Sequence, residues 1–506
     1  MKRAFRIIWA AGLVGLLGLY YRDLTAGFPN YSPWVDWSKF TDEGWYGKAA
    51  IQHWTRGSWY LPGDFNPAVA LPVWPLMEAG VFHFTGVGLA AARATAVSVF
   101  ALALVALFFL VKKYQNGWMA ALVVTVLALS PFYYAFMRTA ILEPPLLLFT
   151  AMALLAAAHA RWRSWAWLST LGVLVALIAF TKTTGVCSLP AVGYLMWRSN
   201  HGDRAKFRRC CVMVLGIAGL LSAGYYFGLV RPHYAADFRY LFSANARPEM
   251  TLHSRWDAVW GTVYDGVWAS RWIYPGALAA VVLAATVERK LWRNPLFGAC
   301  VLWVTSYFGF IAWHANLQPR YYLLPFAPMV MLLSLALQHA VRARKRIVTA
   351  ALVLVLAAGT LRGAMLTFRW IRHPEFTYLA AARELAQTMD RASAENRSGN
   401  NEAGNNKLLM SISGDQLTLM VGVKAICDDF GTDELEQRIA RYNPGWYASW
   451  DEIDPETLES LELFYRVEWV ASWPAMDDPD RRVLNLWRLV PLKHRLWQPE
   501  TADSGA

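Results

Sequence analysis

Apolar runs recur along this chain as far as about residue 368, and they limit its possible folds more than any other feature. An α-helix needs roughly 20 predominantly apolar residues to cross a hydrocarbon core of about 30 Å. Runs near 5–21, 88–111, 118–136, 141–160, 165–181, 184–197, 210–230, 275–287, 295–313, 321–340 and 347–364 give eleven crossings. Several are short, and 184–197 also suits a re-entrant or broken element, so counts from ten to thirteen are compatible with the pattern. With 56% hydrophobic and 17% charged residues, the chain carries too much apolar surface for an ordinary water-soluble protein. The expectation is a mainly α-helical polytopic membrane protein.

Alternate connections carry the basic clusters: MKRAFR at the start, KKYQNG at 112–117, RWR at 161–163, RSNHGDRAKFRR at 198–209, ERKLWRN at 288–294 and VRARKR at 341–346. The positive-inside rule makes that side cytoplasmic. Residues 22–87, a turn from Arg138 to Glu143, another at Lys182, residues 231–274 and the turn HANLQPR at 314–320 then face the outside or the periplasm. The expected location is the inner or plasma membrane, with a cytoplasmic N-terminus. The net charge of +12 is read as topology, because no aromatic-interleaved basic face points to nucleic acid. MKRAFRIIWAAGLVGLLGLYY has the charge and apolar core of a signal peptide but no convincing small-residue cleavage site. The five cysteines show no metal-type spacing and imply no disulfide framework.

From about residue 370 the composition changes to polar helical patterns and short β-rich runs, KLLMSI, FYRVEWVAS and VLNLWRLV, around the polar loop AENRSGNNEAGNNK. The division expected is a membrane domain over 1–368, with external loops 22–87 and 231–274, and a small soluble α/β domain over 369–506. Eleven crossings put that domain on the same side as the first loop.

That loop contains TDEGWYGKAA, in which Asp42 and Glu43 precede Lys48 between aromatic residues. A carboxylate in a loop is usually solvated surface. Trp45, Tyr46 and the following PGDFNPAVALPVWPLMEAG suggest instead a loop folded at the membrane interface, where partial desolvation shifts carboxylate chemistry. Other external turns place Arg138, Glu143, Lys182 and Arg320, with Tyr321 and Tyr322, at comparable depth. Each alone is explained by snorkelling. Their recurrence on one face favours a shared anionic ligand, such as the phosphate of a membrane lipid. A carboxylate beside the phosphate-bonded carbon would take a proton from an incoming nucleophile. The cations would stabilise the departing phosphate.

The chain resembles the GT-C glycosyltransferases of the protein O-mannosyltransferase and aminoarabinose-transferase type, through DEGWYGKAA, RTAILEPPLLLF, TKTTGVCSLP and QPRYYLLPFAPMVML in that order. The resemblance implies transfer of a sugar from a polyprenyl-phosphate donor in the membrane lipid to an external acceptor, which is a protein, lipid or glycan, with inversion by single displacement. It implies Asp42 as base, with Glu43 and Glu143 orienting acceptor or cation. It further implies that Arg138, Lys182, Arg320 and Tyr321, with Lys48 in addition, hold the donor phosphate. Many relatives have Asp where this chain has Glu143. A divalent metal ion is a possible cofactor, with Asp42, Glu43, His53 and Glu143 as candidate ligands. Two other classes compete: a transporter or flippase of a lipid-linked saccharide, expected to show repeated halves and midplane charges, and a membrane-anchored sensor or scaffold.

Overall fold

The computed structural model describes residues 2–244, 250–314, 318–397, 407–477, 482–494 and 497. The loop AENRSGNNEAGNNK and the tip of HANLQPR lie largely outside the described residues. Each of the eleven apolar runs coincides with helix. Five helical stretches, Leu89–Tyr114, Arg204–His233, Pro295–His314, Pro319–Arg342 and Arg346–Ser393, are long and apolar enough to cross a membrane; Arg6–Tyr20, Gly117–Ala128, Glu143–Ala157 and Trp165–Thr181 are shorter apolar helices. The chain is a multi-pass membrane protein. Leu215, Leu220, Leu354 and Leu361 remain exposed on the helices that form its flanks, as lipid-facing side chains should.

Two expected spans are broken for local reasons. The run 118–136 divides into Gly117–Ala128 and Pro131–Phe136, with Ser130 capping the second piece ahead of a proline that supplies no N–H. The run 184–197 opens as a 3-10 turn, Thr183–Ser188, before Leu189–Ser199 becomes α-helical. That irregular turn holds Lys182 at the N-terminal lip of the segment, where a continuous helix would carry it past.

The basic connections meet at one end of the bundle: Lys113 lies 3.2 Å from His159, the Trp162 amide donates to Asn200 (2.9 Å) and Asn294 donates to the Tyr114 carbonyl (3.2 Å). The first loop and the C-terminal domain pack together on the bundle, with Trp45 Nε1 donating to the Ile412 carbonyl (2.9 Å) and the Gly44 amide to Gln416 (3.0 Å).

The C-terminal domain contains a five-stranded sheet in the order β2-β1-β3-β5-β4, with β1 Leu409–Met410, β2 Ala425–Ile426, β3 Trp446–Trp450, β4 Tyr465–Pro474 and β5 Val483–Pro491. β1 pairs parallel to β2 and β3, while β5 pairs antiparallel to β3 and β4. The three β-rich runs of the sequence become β1, β4 and β5. The short β2 and the buried β3 have no clear alternation and were not legible. Phe40 of the first loop is buried in this domain's core, beside Leu417 and Trp446, and Leu419 enters the core beneath the loop with Trp74 and Phe82.

A candidate active site between the membrane bundle and the C-terminal domain

Asp42 opens the helix Asp42–Arg56, which is amphipathic and correctly polarised: Asp42 and Glu43 occupy the first turn, His53 and Arg56 the last, and Gly57 ends it at φ 76°. The helix lies between the bundle and the C-terminal domain, so its first turn is buried. Asp42 is 1% exposed. Its Oδ2 lies 2.7 Å from Arg320 Nη1, at a short distance but without the alignment of a hydrogen bond. Burial pushes its pKa up to about 6, with Arg320 pulling it down and Asp36 and Glu143 adding to the rise.

Arg320 is held by Asp36, whose Oδ1 accepts from its guanidinium (2.5 Å) and whose Oδ2 accepts from its amide (3.1 Å). Asp36 also accepts from the Ser38 amide (2.9 Å). Lys182 donates to Glu143 Oε1 (2.5 Å), and Glu143 begins the helix Glu143–Ala157 directly before Pro144 and Pro145. Both cations lie over the Tyr321 ring, Lys182 Nζ at 4.8 Å and the Arg320 guanidinium carbon at 5.5 Å from its centroid. Arg320 Nε and Glu143 Oε2 are buried without hydrogen-bond partners. Beside them is a cavity of about 630 Å³ whose walls include Asp42, Tyr46, Lys182, Arg320 and Tyr321, with Asp429 and Phe430 from the C-terminal domain. Two cations, a carboxylate with a raised pKa and unused polar atoms suit an anionic ligand undergoing proton-coupled chemistry.

The other sequence candidates lie elsewhere. Glu43 points away from the cavity: Arg93 grips both its oxygens (2.7 and 2.6 Å), and it also accepts from the Ala140 amide (2.8 Å) and Gln416 (3.0 Å). Arg138 donates to the carbonyls of Tyr20, Arg22 and Asp23 and to the Tyr134 hydroxyl, tying down the end of the first helix. Lys48 is buried between Asp64 (2.7 Å) and Asp415 (3.0 Å). His53 stacks on Trp59 with ring centroids 4.6 Å apart. Glu43, Lys48 and His53 share a helix with Asp42, Glu43 and Lys48 on different faces from it and His53 in its last turn, while Arg138 lies outside that helix.

Residues 67–224 match the family described as dolichyl-phosphate-mannose-protein mannosyltransferase. ArnT from Cupriavidus metallidurans, in a crystal structure bound to undecaprenyl phosphate, superposes with a TM-score of 0.59 at 12% identity, over 96% of this chain and 98% of that one. The Archaeoglobus fulgidus oligosaccharyltransferase AglB, in complex with an inhibitory peptide and a dolichol-phosphate, gives 0.52 at 12% identity over 95% and 74%. The arabinofuranosyltransferase AftD from Mycobacteria gives 0.52 at 14% identity over 97% and 40%. The chain has the GT-C fold of membrane glycosyltransferases. No curated protein matches it in sequence.

Glycosyl transfer is the activity that the family match and these GT-C neighbours share, and the cavity lies where the first loop meets the bundle. Asp36, Asp429 and Phe430 of this GT-C chain are not singled out by the sequence, which offers Tyr46 only as an aromatic flank of Asp42. Asp36 sits in YSPWVDW, read there only for its interfacial aromatics, although Asp-x-Ser is a recognisable turn-capping signal. Asp429 and Phe430 are brought in by tertiary packing alone. The proposed metal ligands do not assemble: Glu43 and His53 are engaged elsewhere, Asp42 and Glu143 face cations, and among the described residues no three His, Cys, Asp or Glu side chains form a group that could hold a metal ion.

Proposed function

We propose that this chain moves a glycosyl group from a polyprenyl-phosphate donor to an acceptor hydroxyl or amine on the side of the membrane that carries the C-terminal domain, taken to be the external or periplasmic side. The observation that carries the reading is Asp42, buried at the wall of the cavity beside the cations Arg320 and Lys182, where burial pushes its pKa up to about 6. Arg320 and Lys182 bind the donor phosphate, with Tyr321 beneath both side chains. The acceptor attacks the anomeric carbon from the face opposite the phosphate. As the new bond forms, the bond from that carbon to the phosphate oxygen breaks, and the lipid phosphate leaves with its electron pair. Asp42 takes the acceptor proton, and the configuration inverts. Arg320 and Lys182 stabilise the charge developing on the phosphate. Asp36 holds Arg320 in place and Glu143 holds Lys182. Glu43 is a positioning residue that anchors the first turn carrying Asp42.

Purified protein is offered a panel of radiolabelled polyprenyl-phosphate sugars with membrane extract as the acceptor source. Transfer by wild type and none by Asp42→Asn is the expected result. Folded wild-type protein that binds a donor without consuming it under any acceptor condition would overturn the reading. Arg320→Ala should weaken donor binding, and unchanged affinity would remove Arg320 from the phosphate.

A further inference from the structure

A second, larger cavity of about 1040 Å³ lies in the C-terminal domain. It adjoins the Asp42 cavity along two walls. Asp429 lines both spaces, while its neighbours divide between them: Asp428 and Gly431 face the larger cleft and Phe430 the smaller cavity. The helix Ala235–Ala244 does the same, with Tyr240 on the cleft and Leu241 and Phe242 on the cavity. The partition loop is built rather than loose. The Arg438 guanidinium donates to the carbonyls of Cys427, Phe430, Asp428 and Asp429, and Phe430 packs edge-on against Trp45 at 4.9 Å.

Among the described residues, seven acidic side chains line the cleft, against Arg438 as the one lining cation. Its guanidinium is spent on backbone carbonyls and leaves most of that charge uncompensated. Asp433 pairs with Arg441 (2.7 Å), and Asp428 accepts from Tyr447 (2.8 Å) while its other oxygen is buried with no partner. Ionised carboxylates only accept hydrogen bonds, so an occupant must donate them. Tyr447, Trp450, Thr432 and Thr457 are also in the lining. The far end is mixed in sign, because the adjoining cavity sets Arg320 and Lys182 beside Asp42 and Asp429. An anionic occupant is repelled by the cleft, whereas hydroxyls donate to its carboxylates without bringing a charge to the paired groups around Asp42. A neutral, hydroxyl-rich chain suits both ends.

We infer that the acceptor is a neutral saccharide chain that lies in this cleft and reaches Asp42 across Asp429. The inference rests on the transferase reading and names its acceptor class and route.

The test uses the full chain in lipid nanodiscs and direct binding rather than turnover. Three fluorescent probes are titrated: a neutral glucan pentasaccharide, the same saccharide carrying a phosphate monoester, and a lysine-rich peptide. Saturable binding of the neutral probe is expected, weakened by about tenfold or more in the double variant Glu434→Lys/Glu452→Lys and in Asp429→Lys. Glu434 and Glu452 are exposed and line only the cleft, so the double variant should bind undecaprenyl phosphate as wild type does, which also reports its folding. Binding of the peptide alone, binding of the phosphorylated probe at least as tight as the neutral one, indifference to the charge reversals, or no saccharide binding at all would each overturn the inference. Wild type that fails to bind undecaprenyl phosphate would instead tell against the transferase reading.

Discussion

The two ends of the short stretch from Asp42 to Lys48 lie in polar environments of different kinds. At Lys48 the charges are closed on one another: Asp64 and Asp415 hold the ammonium, Gln52 donates to Asp415 (3.0 Å), and Asp64 accepts from the Cys427 amide (3.2 Å). Burial opposes charge on Lys48, but its two carboxylates outweigh that and raise its pKa. At Asp42 the charges are paired as well, Arg320 with Asp36 and Asp42 and Lys182 with Glu143, but Asp42 Oδ2, Arg320 Nε and Glu143 Oε2 lack hydrogen-bond partners. Buried polar groups are normally satisfied, so an unsatisfied set beside a cavity is what the proposed donor would complete. The seam at Lys48 fastens the C-terminal domain to the loop; the cavity at Asp42 is where the proposed donor would bind.

The largest effects should separate the two regions by kind. Lys48→Ala strands two buried carboxylates and should cost about 3–5 kcal/mol of stability. Thermal unfolding in detergent checks this, and an unchanged melting temperature would make the seam dispensable. Asp42→Asn should lower kcat by roughly 10³-fold through loss of the base, with donor affinity and melting temperature near wild type. Residual turnover at the wild-type rate would remove Asp42 from that role.

Gly44→Ala sharpens the comparison further. A Cβ at Gly44 would run into the backbone of Asp415 and Gln416, so the domain must shift, at about 1–3 kcal/mol. Because Gly44 lies two residues from the base, kcat should fall along with stability. A variant that loses stability alone would uncouple the seam from the cavity.

The smallest effect is in pH. Asp42 must be ionised to accept a proton, and its pKa is raised to about 6. Turnover should therefore fall as pH drops through about 6, and Asp36→Asn, which removes a neighbouring negative charge, should move that limb to lower pH. The stability sign is opposite: a carboxyl whose folded pKa is raised favours the fold most at low pH, and that contribution is lost as pH rises through about 6. An acid limb near pH 4 would show Asp42 to be solvated in the working enzyme.

Sequence reading identified the membrane helices because hydrophobic length is a one-dimensional property, set by how many apolar residues span a bilayer. It reached Lys182 and Arg320, with Tyr321 beside it, because charge at apolar helix ends is conspicuous, and Asp42 because a carboxylate pair stands among aromatics in the first loop. The same reasoning could not separate Asp42 from Glu43 or Lys48. Adjacent residues on a helix point about 100° apart, and only packing decides which direction meets a cavity and which a partner such as Arg93. Asp36, Asp429 and Phe430 lay beyond reach for the same reason. Asp36 acquires its role from Arg320, 284 positions away, and the other two from a domain that closes over the first loop. Composition and periodicity therefore determined that this chain is a helical membrane protein with a polar domain at its end. Tertiary structure decided which polar groups are satisfied and which are left open, because that depends on distances no linear spacing encodes.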